Sequence, residues 1–276
     1  MPAFLTDEYF ERFRSLIYEA SGIHFSESNR SILESRLKER LRTSATDVAE
    51  YYESIRANGT ELNALLDSVT TNLTRFFRNT AHVQTFEYYV IPELVKLKRA
   101  AGSRLLRIWS AGCSTGEEPY TFAMILREVM PADFSAQIVA SDLSLKSLMI
   151  AQEGFYAETR VQGVPPRHLT RYFERKPGGY RICDQIREMV RFDYHNLRND
   201  SGLRDLDVVI CRNVLIYFDE TAQKAVVDRF WHALAPVSFL FIGHSESLFG
   251  MKTDFEFVRT DWAYIYRKRQ GVRHER

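Results

Sequence analysis

The feature that most constrains this fold is a series of short apolar runs that begins after Gly102 and alternates with segments of helical periodicity. The runs are RLLRIWSAG (104–112), QIVASD (137–142), LDVVICRN (206–213) and SFLFIGHS (238–245). Runs of this kind are typical of strands buried on both faces of a parallel sheet. Strands that alternate with helices predict a doubly wound α/β sheet with right-handed crossovers. Two last runs, around 255–259 and 262–268, leave no room for a helix between them and predict a terminal hairpin.

One segment interrupts the alternation. Between residues 172 and 192 the sequence reads YFER, then a Pro177-Gly178-Gly179 turn, then YRIC and MVRF. Short strand-like runs around a tight turn favour antiparallel pairing. We therefore expect a small antiparallel β-subdomain inserted into the main sheet at about residues 172–192.

The first third of the chain is predicted to be an all-α bundle. Apolar residues recur at helical spacing from a Thr6 cap to Gly22, and no strand-like alternation follows them. Three more helices are expected, near 29–42, 47–56 and 61–69. The predicted division is a helical domain (1–75), a linker and helix (76–103), an α/β domain (104–270) and a polar tail (271–276).

Composition limits the functions open to the chain. The 37 basic and 36 acidic residues nearly cancel, so no global field favours nucleic acid or anionic lipid. The three cysteines are scattered and odd in number, which offers neither a disulfide framework nor a metal site. No apolar run reaches the roughly 20 residues that a spanning helix needs. We expect a cytoplasmic protein that binds no metal and does not insert into the membrane.

Polar residues gather where the predicted strands end, which is where an α/β sheet binds its ligand. Gly112 and Gly116 follow the first strand without a full G-x-G-x-x-G, and Asp142 ends the second strand. Such a carboxylate conventionally takes ribose hydroxyls, although it could cap the next helix or do both. Glu117 and Glu118 are electrostatically wrong for a pyrophosphate and suit a cationic ligand such as S-adenosylmethionine. Two asparagines at later strand ends could bind its polar groups or merely form turns; they are Asn196 and Asn213.

Five longer motifs carry a resemblance to a known family. They are TTNLTRFFRN (70–79), SAGCSTGEEPY (110–120), ASD (140–142), CRNVLIYF (211–218) and GHSES (243–247). In this order and spacing the chain resembles the CheR-type chemotaxis receptor methyltransferases from about residue 5 to residue 268. The resemblance implies a helical domain, a Rossmann-like methyltransferase domain dependent on S-adenosylmethionine, and an antiparallel β-subdomain.

The resemblance also implies a reaction and a set of residues. The reaction is methyl transfer from S-adenosylmethionine to glutamate carboxylates of a chemoreceptor-type protein, which leaves S-adenosylhomocysteine. Arg78 and Tyr217 are the residues expected beside the transferred methyl group, although each could instead be an ordinary surface or packing residue. The implied cofactor contacts are Asn72, Thr74, Arg78, Glu118, Asp142, Asn196, Leu197, Arg212 and Asn213. His244 and Cys113 lie inside motifs and are interpreted as structural.

The second predicted helix is rich in basic residues. It carries Arg30, Arg36, Lys38, Arg40 and Arg42 against two acidic residues. These cations are expected to flank a leucine stripe and to face solvent, as on any solvated helix. The resemblance suggests that they meet the acidic methylation helices of the receptor. The short Pro177-Gly178-Gly179 turn disfavours tethering through a C-terminal pentapeptide of the receptor.

Two alternatives to this function stay open from sequence alone. The chain could methylate a different acceptor, or it could bind S-adenosylmethionine as a signalling module without catalysis. An amine or hydroxyl acceptor normally requires a general base, and the sequence offers no strong candidate. Nucleic-acid methylation is disfavoured because no N-P-P-Y-like motif occurs.

Overall fold

The computed structural model describes residues 4–44, 47–70 and 73–269. Its first domain contains four helices, α1 (Asp7–Ser21), α2 (Arg30–Ser44), α3 (Val48–Ala57) and α4 (Gly59–Val69). The Thr6 hydroxyl accepts the Tyr9 N–H at the start of α1, and Gly22 ends that helix with a φ of 80°. The leucine stripe of α2 packs into the core of this domain, and each fully buried leucine contributes about 1.5–3 kcal/mol. The helical prediction for the first third of the chain is confirmed.

The rest of the chain forms a large sheet with helices around it and a small sheet beside it. The strands are β1 (Leu105–Ala111), β2 (Ser135–Asp142), β3 (Phe155–Ala157), β4 (Phe173–Lys176), β5 (Gly179–Ile182), β6 (Val190–Tyr194), β7 (Leu206–Cys211), β8 (Leu234–Ile242), β9 (Glu256–Arg259) and β10 (Tyr264–Arg269). The helices are α5 (Thr80–Thr85), α6 (Ile91–Ala100), α7 (Glu117–Val129), α8 (Leu145–Glu153), α9 (Glu158–Val161), α10 (Pro166–Tyr172), α11 (Asp184–Arg187) and α12 (Glu220–Ala233). A π-helical turn (Phe86–Val90) joins α5 to α6.

The large sheet has the order β6-β2-β1-β7-β8-β10-β9. Its first five strands are parallel, and β10 is antiparallel to both β8 and β9. The chain runs outward from β1 to β2 and β6 and then returns to β7 on the other side of β1. A topological switch point therefore lies between β1 and β7, where sheets of this class bind their ligands. The predicted α/β sheet and its terminal hairpin are confirmed.

The small antiparallel sheet differs in extent from its prediction. It has the order β3-β5-β4 and therefore begins at Phe155 and ends at Ile182. The run MVRF does not belong to it, because β6 pairs in parallel with β2 and forms an edge of the large sheet. A three-residue strand such as β3 is too short to show periodicity. The run MVRF fits a strand of the antiparallel sheet and a strand of the parallel sheet equally well. A Cβ atom at Gly179 would lie 2.2 Å from the Tyr156 carbonyl oxygen, so the β3–β5 contact requires glycine there.

Among the residues that the structure describes, no helix is long and apolar enough to cross a membrane.

Candidate active site

A cleft of about 870 Å³, partly open to solvent, lies at the switch point of the large sheet. Six parts of the chain line it: the end of α1, the segment before α5, and the segments that follow β1, β2, β6 and β7. Sequence-predicted residues come together here from positions more than a hundred residues apart. They are Thr74, Arg78, Glu118, Asp142, Asn196, Leu197, Arg212, Asn213 and Tyr217. The remaining predicted contact, Asn72, lies outside the described residues.

The loop after β1 is shaped by two glycines in the left-handed region. Gly112 has a φ of 86°, and a Cβ atom there would lie 2.4 Å from Cγ2 of Val214. Gly116, with a φ of 93°, precedes the first turn of α7, and a Cβ atom there would lie 2.9 Å from that of Ala151 in α8. These glycines let the loop pass close to its neighbours, so the backbone itself forms the floor of the cleft.

Asp142 is buried at the end of β2 and is held by backbone donors. Its Oδ2 accepts the Ser114 N–H at 2.7 Å and its Oδ1 accepts the Ser144 N–H at 2.9 Å. Burial raises the pKa of this carboxyl above its ordinary value of 3.8, and these N–H groups oppose the rise. The alternative role as a helix cap is wrong, because the Ser144 hydroxyl caps α8 by accepting the Ser147 N–H. The carboxylate is thus fixed in the wall of the cleft.

Glu118 and Arg212 form a buried ion pair in the same wall. The Arg212 Nε donates to Glu118 Oε2 at 2.8 Å, and the two side chains are only 5% and 10% exposed. Ser110 Oγ donates to the other carboxylate oxygen at 2.8 Å, and Arg212 Nη1 donates to the Arg78 carbonyl oxygen at 2.8 Å. Burial, together with the charge of Arg212, lowers the pKa of the neighbouring His82 to about 4. The pair ties β1, α7 and β7 to the Arg78 backbone.

Glu117, one residue earlier, has a different partner. Its fully buried carboxylate accepts from Arg160 and, at 2.7 Å, from the Thr115 hydroxyl, on the side of the small sheet. It does not line the cleft, whereas Glu118 does. Position on the helix therefore separates the two acids, which the sequence alone separated only weakly.

Arg78 and Tyr217 both line the cleft rather than lying on unrelated surfaces. Arg78 is half-buried, and its Nη1 donates to the Leu73 carbonyl oxygen at 2.8 Å. Tyr217 ends a short 3-10 turn (Leu215–Tyr217), and its carbonyl oxygen accepts the His24 N–H at 2.8 Å. Its side chain packs against the core of the helical domain.

The helical domain forms one wall of the cleft, which the sequence did not indicate. Ser21 and Ile23, at the end of α1, line it directly. The loop after β6 holds this end of α1 in place, since Asn196 Nδ2 donates to the Ala20 carbonyl oxygen at 2.7 Å and Arg198 Nη1 donates to that of Tyr18 at 2.6 Å. Asn196 therefore joins the two domains in addition to lining the cleft.

Sequence reasoning also missed one residue of the cleft and one residue that supports a loop of the cleft. His195 lines the cleft, its Nε2 is buried without a hydrogen-bond partner among the described residues, and burial lowers its pKa, so it is neutral near pH 7. Glu246, from the GHSES motif, binds the loop that follows β7. The motif pointed to this segment, but no spacing rule connects Glu246 with a loop 30 residues away.

The basic helix α2 separates into two groups of cations. Arg30 donates to Asp7 at 2.7 Å and to the Leu5 carbonyl oxygen, while Arg40 pairs with Glu61. The expectation that all five cations face solvent is therefore wrong for these two, because their side chains are only 22% and 25% exposed and carboxylates of other segments bind them. The exposed or half-exposed group is Arg36, Lys38 and Arg42.

The residues of the cleft fit S-adenosylmethionine. Arg212 neutralises Glu118, which leaves the Asp142 carboxylate for ribose hydroxyls and the Arg78 guanidinium for a carboxylate. The cleft has no lysine and no glycine-rich phosphate loop among its lining residues, which agrees with a ligand without phosphates. A positively charged sulfonium is compatible with a wall that contains two carboxylates.

Comparison with known families identifies the site. The SAM-binding domain of CheR methyltransferases matches residues 72–264, and the all-alpha domain of the same enzymes matches residues 8–70. With the geometry of the cleft, this makes the protein a methyltransferase that depends on S-adenosylmethionine. Chemotaxis protein methyltransferase 2 of Vibrio cholerae is 36% identical over 264 residues, which cover 92% of this chain and 91% of that protein. The chemotaxis protein methyltransferase of Escherichia coli is 34% identical over 261 residues, 91% of this chain and 88% of that protein. The chain belongs to the CheR methyltransferase family.

Proposed function

We propose that the enzyme esterifies glutamate side chains on the cytoplasmic helices of a chemoreceptor. S-adenosylmethionine is the methyl donor and S-adenosylhomocysteine the product. The relatives named above are chemotaxis protein methyltransferases, which supports an acceptor in a chemosensory pathway and a cytoplasmic location. The observation that carries the proposal is Arg78, whose guanidinium lies in the lining of the same cleft as Tyr217.

Arg78 suits a carboxylate acceptor. A guanidinium has five N–H donors in a planar fork, and the contact with the Leu73 carbonyl oxygen uses one of them. The other donors can hold one oxygen of a glutamate while the second oxygen points into the cleft. The Tyr217 hydroxyl then orients the carboxylate from the opposite side. Both residues therefore position the nucleophile, and neither needs to transfer a proton.

Esterification requires alignment more than acid–base chemistry. A glutamate carboxyl has an unperturbed pKa of about 4.3 and is already ionised at neutral pH. Bound S-adenosylmethionine supplies a methyl group on a positively charged sulfur. The task of the protein is to remove water from the carboxylate and align it, and positioning of this kind contributes up to roughly 7–11 kcal/mol. The neutral His195 lies beside Asp142 in the cofactor wall and is assigned no catalytic role.

For the cofactor, we assign the polar contacts by chemistry. Asp142 accepts from the ribose hydroxyls, and Arg78 also binds the cofactor carboxylate. The Glu118–Arg212 pair and Asn213 line the part of the cleft nearest to β7. Leu197 supplies a buried apolar contact, and Thr74 and Asn196 complete the lining; Asn72 is assigned from the family motif alone.

For the receptor, we assign the exposed cations of α2, namely Arg36, Lys38 and Arg42. Methylation helices are acidic, so exposed cations on a helix of the domain that forms one wall of the cleft attract them and set their approach. Arg30 and Arg40 are mostly buried and already paired with carboxylates, so we leave them out of this surface. The β4–β5 turn contains only Pro177 and Gly178 between paired residues, which favours recognition of the receptor helices over a peptide tether.

The test is incubation with methyl-labelled S-adenosylmethionine and receptor cytoplasmic fragments, followed by mild base. Glutamate methyl esters release the label as methanol, whereas methylated amines and ethers retain it. We expect base-labile label on one fragment and none on the same fragment with its acceptor glutamates changed to glutamine. Base-stable label would show that the acceptor is not a carboxylate. If no fragment is labelled while S-adenosylhomocysteine still binds, the enzyme acts on another acceptor or is a non-catalytic binding module.

A further inference from the structure

The carboxylate of Glu246 collects backbone N–H groups from two segments of the chain. Its Oε2 accepts the N–H groups of Asn213, at 2.9 Å, and of Gly243. Its Oε1 accepts the Ile216 N–H at 3.2 Å. Asn213 and Ile216 follow β7, while Gly243 follows β8, so a single side chain joins the ends of two adjacent parallel strands.

A side chain at position 243 would not fit beside this carboxylate. A Cβ atom at Gly243 would lie 2.6 Å from Glu246 Oε2 and 2.9 Å from the Asn213 backbone nitrogen. Glu246 is itself held in place, because its N–H donates to the Gly243 carbonyl oxygen at 2.9 Å and the N–H of nearby Leu248 donates to the Tyr266 hydroxyl at 3.0 Å. The fold therefore fixes both the Glu246 side chain and the backbone N–H groups that it accepts from.

The loop that Glu246 holds has a conformation that needs support. Asn213 has a φ of 60°, in the left-handed region that is uncommon for a residue with a side chain. The same loop ends in the 3-10 turn that carries Tyr217. A change of a few tenths of an ångström at Asn213 or Ile216 would move both residues within the cleft, and positioning errors of about 1 Å can cost 100-fold in rate.

We propose that Glu246 is a positioning residue for catalysis: it fixes the loop that places Asn213 against the cofactor and Tyr217 against the acceptor. The inference rests on the proposed roles of those two residues. Glu246 lines no part of the cofactor cleft, so it acts through the loop and not by contact with the cofactor.

The sharpest variant is Glu246→Gln, which keeps size and shape. A glutamine offers one acceptor oxygen and presents an NH2 group where the second oxygen was. At least one of the three backbone N–H groups then faces a donor and loses its partner. The matched control is Glu256→Gln, because Glu256 is bound only at the surface of the β9–β10 hairpin, by Arg267.

Three measurements on the full chain test the proposal. They are hydrogen exchange of the Asn213, Ile216 and Gly243 amides, the affinity for S-adenosylhomocysteine by calorimetry, and kcat and KM with a receptor fragment. For Glu246→Gln we expect exchange at these amides to accelerate about tenfold or more, cofactor KM to rise and kcat to fall, with the melting temperature nearly unchanged. A residue with a merely structural role would lower the melting temperature and the active fraction but leave KM alone.

The outcomes separate this inference from the proposed function. Exchange rates and cofactor affinity equal to those of Glu256→Gln would overturn the positioning role. Faster exchange with weaker cofactor binding, but no receptor labelled even by the unaltered enzyme, would support the role of Glu246 in the cofactor site and refute the proposed acceptor. Faster exchange with normal cofactor affinity and normal kcat would show that the loop can move without harm, and would also overturn the proposal.

Discussion

Arginine–carboxylate pairs occur in two regions of this molecule, and burial gives them different uses. In the cofactor cleft, Arg212 and Glu118 are about nine-tenths buried or more, and further hydrogen bonds from Ser110 and to the Arg78 carbonyl satisfy them. On helix α2, the Arg36–Glu39 pair is 3.8 Å long, and its side chains are 36% and 71% exposed. A buried pair fixes geometry because neither partner can be solvated alone. An exposed pair contributes little to stability and leaves its cation available to a partner.

The largest effect should come from breaking the buried pair. Arg212→Met keeps bulk but leaves Glu118 buried without its cation, and we expect a loss of about 3–5 kcal/mol in the free energy of unfolding. Cofactor binding should disappear with it, because the pair also anchors the Arg78 backbone. Urea unfolding measures the first effect and calorimetry the second.

A double variant serves as the control for this prediction. Glu118→Leu together with Arg212→Met removes both charges, so it should recover much of the stability but none of the cofactor affinity. If Arg212→Met alone lowers the free energy of unfolding by less than about 1 kcal/mol, the buried pair contributes no more than a typical exposed pair. That result would contradict the distinction between buried and exposed pairs.

The next largest effect concerns Asp142, the cleft carboxylate that backbone N–H groups hold. Ribose hydroxyls need its ionised form, and burial raises its pKa above 3.8. Protonation therefore competes with the cofactor as pH falls through this raised pKa, at higher pH than for an ordinary aspartate, and affinity should be highest above it. Asp142→Asn should weaken S-adenosylhomocysteine binding about 10- to 100-fold at neutral pH.

The same variant supplies the control for the pH dependence. Titrations at a series of pH values should show a slope in the acidic range for the unaltered enzyme and a flatter profile for Asp142→Asn. If both profiles fall in parallel, another group controls binding, and Asp142 is only a structural acceptor for the Ser114 and Ser144 N–H groups.

How much of this could be read from sequence also differs between the two regions. Strand-end logic pointed to Asp142 and Glu118, and both line the same cleft, because the carboxyl ends of parallel strands converge whatever the details of the fold. Composition overstated the basic surface of α2, because the acids that bind Arg30 and Arg40 are Asp7 and Glu61, more than 20 residues away in sequence. Glu246 had the same difficulty, since its partners are backbone N–H groups, which carry no sequence pattern.

A smaller effect is expected inside the helical domain. Glu61 accepts both from Arg40 and, at 2.9 Å, from the Tyr51 hydroxyl, and burial with this contact raises the pKa of Tyr51 to about 12. Because the Arg40 and Glu61 side chains are each 25% exposed, Glu61→Gln should cost only about 1–2 kcal/mol. The exposed Glu53→Gln in α3 should change unfolding by less than about 0.5 kcal/mol. If the two variants lose the same free energy of unfolding, the Arg40–Glu61 pair stabilises the domain no more than an exposed pair does.

The smallest expected effect tests the exposed part of α2 as a receptor surface. Reversing Arg36 and Lys38 to glutamate should slow methylation of the receptor fragment several-fold in low salt, because two attractive charges become repulsive. The difference should shrink at high ionic strength, where the screening length falls to about 3 Å at 1 M. Cofactor affinity should stay unchanged, since neither residue lines the cleft.

The matched control for this reversal is the Arg175→Glu/Lys176→Glu variant on strand β4. These cations lie on the small sheet, and their side chains are 76% and 47% exposed, against 36% and 48% for Arg36 and Lys38. If only the α2 variant slows methylation, the helical domain supplies the docking charges. If only the β4 variant does, the small sheet meets the receptor, and both the basic-helix assignment and the argument against a peptide tether are wrong. If both variants slow methylation, the rate depends on net charge in general. The exposed cations of α2 would then have no specific role in receptor binding.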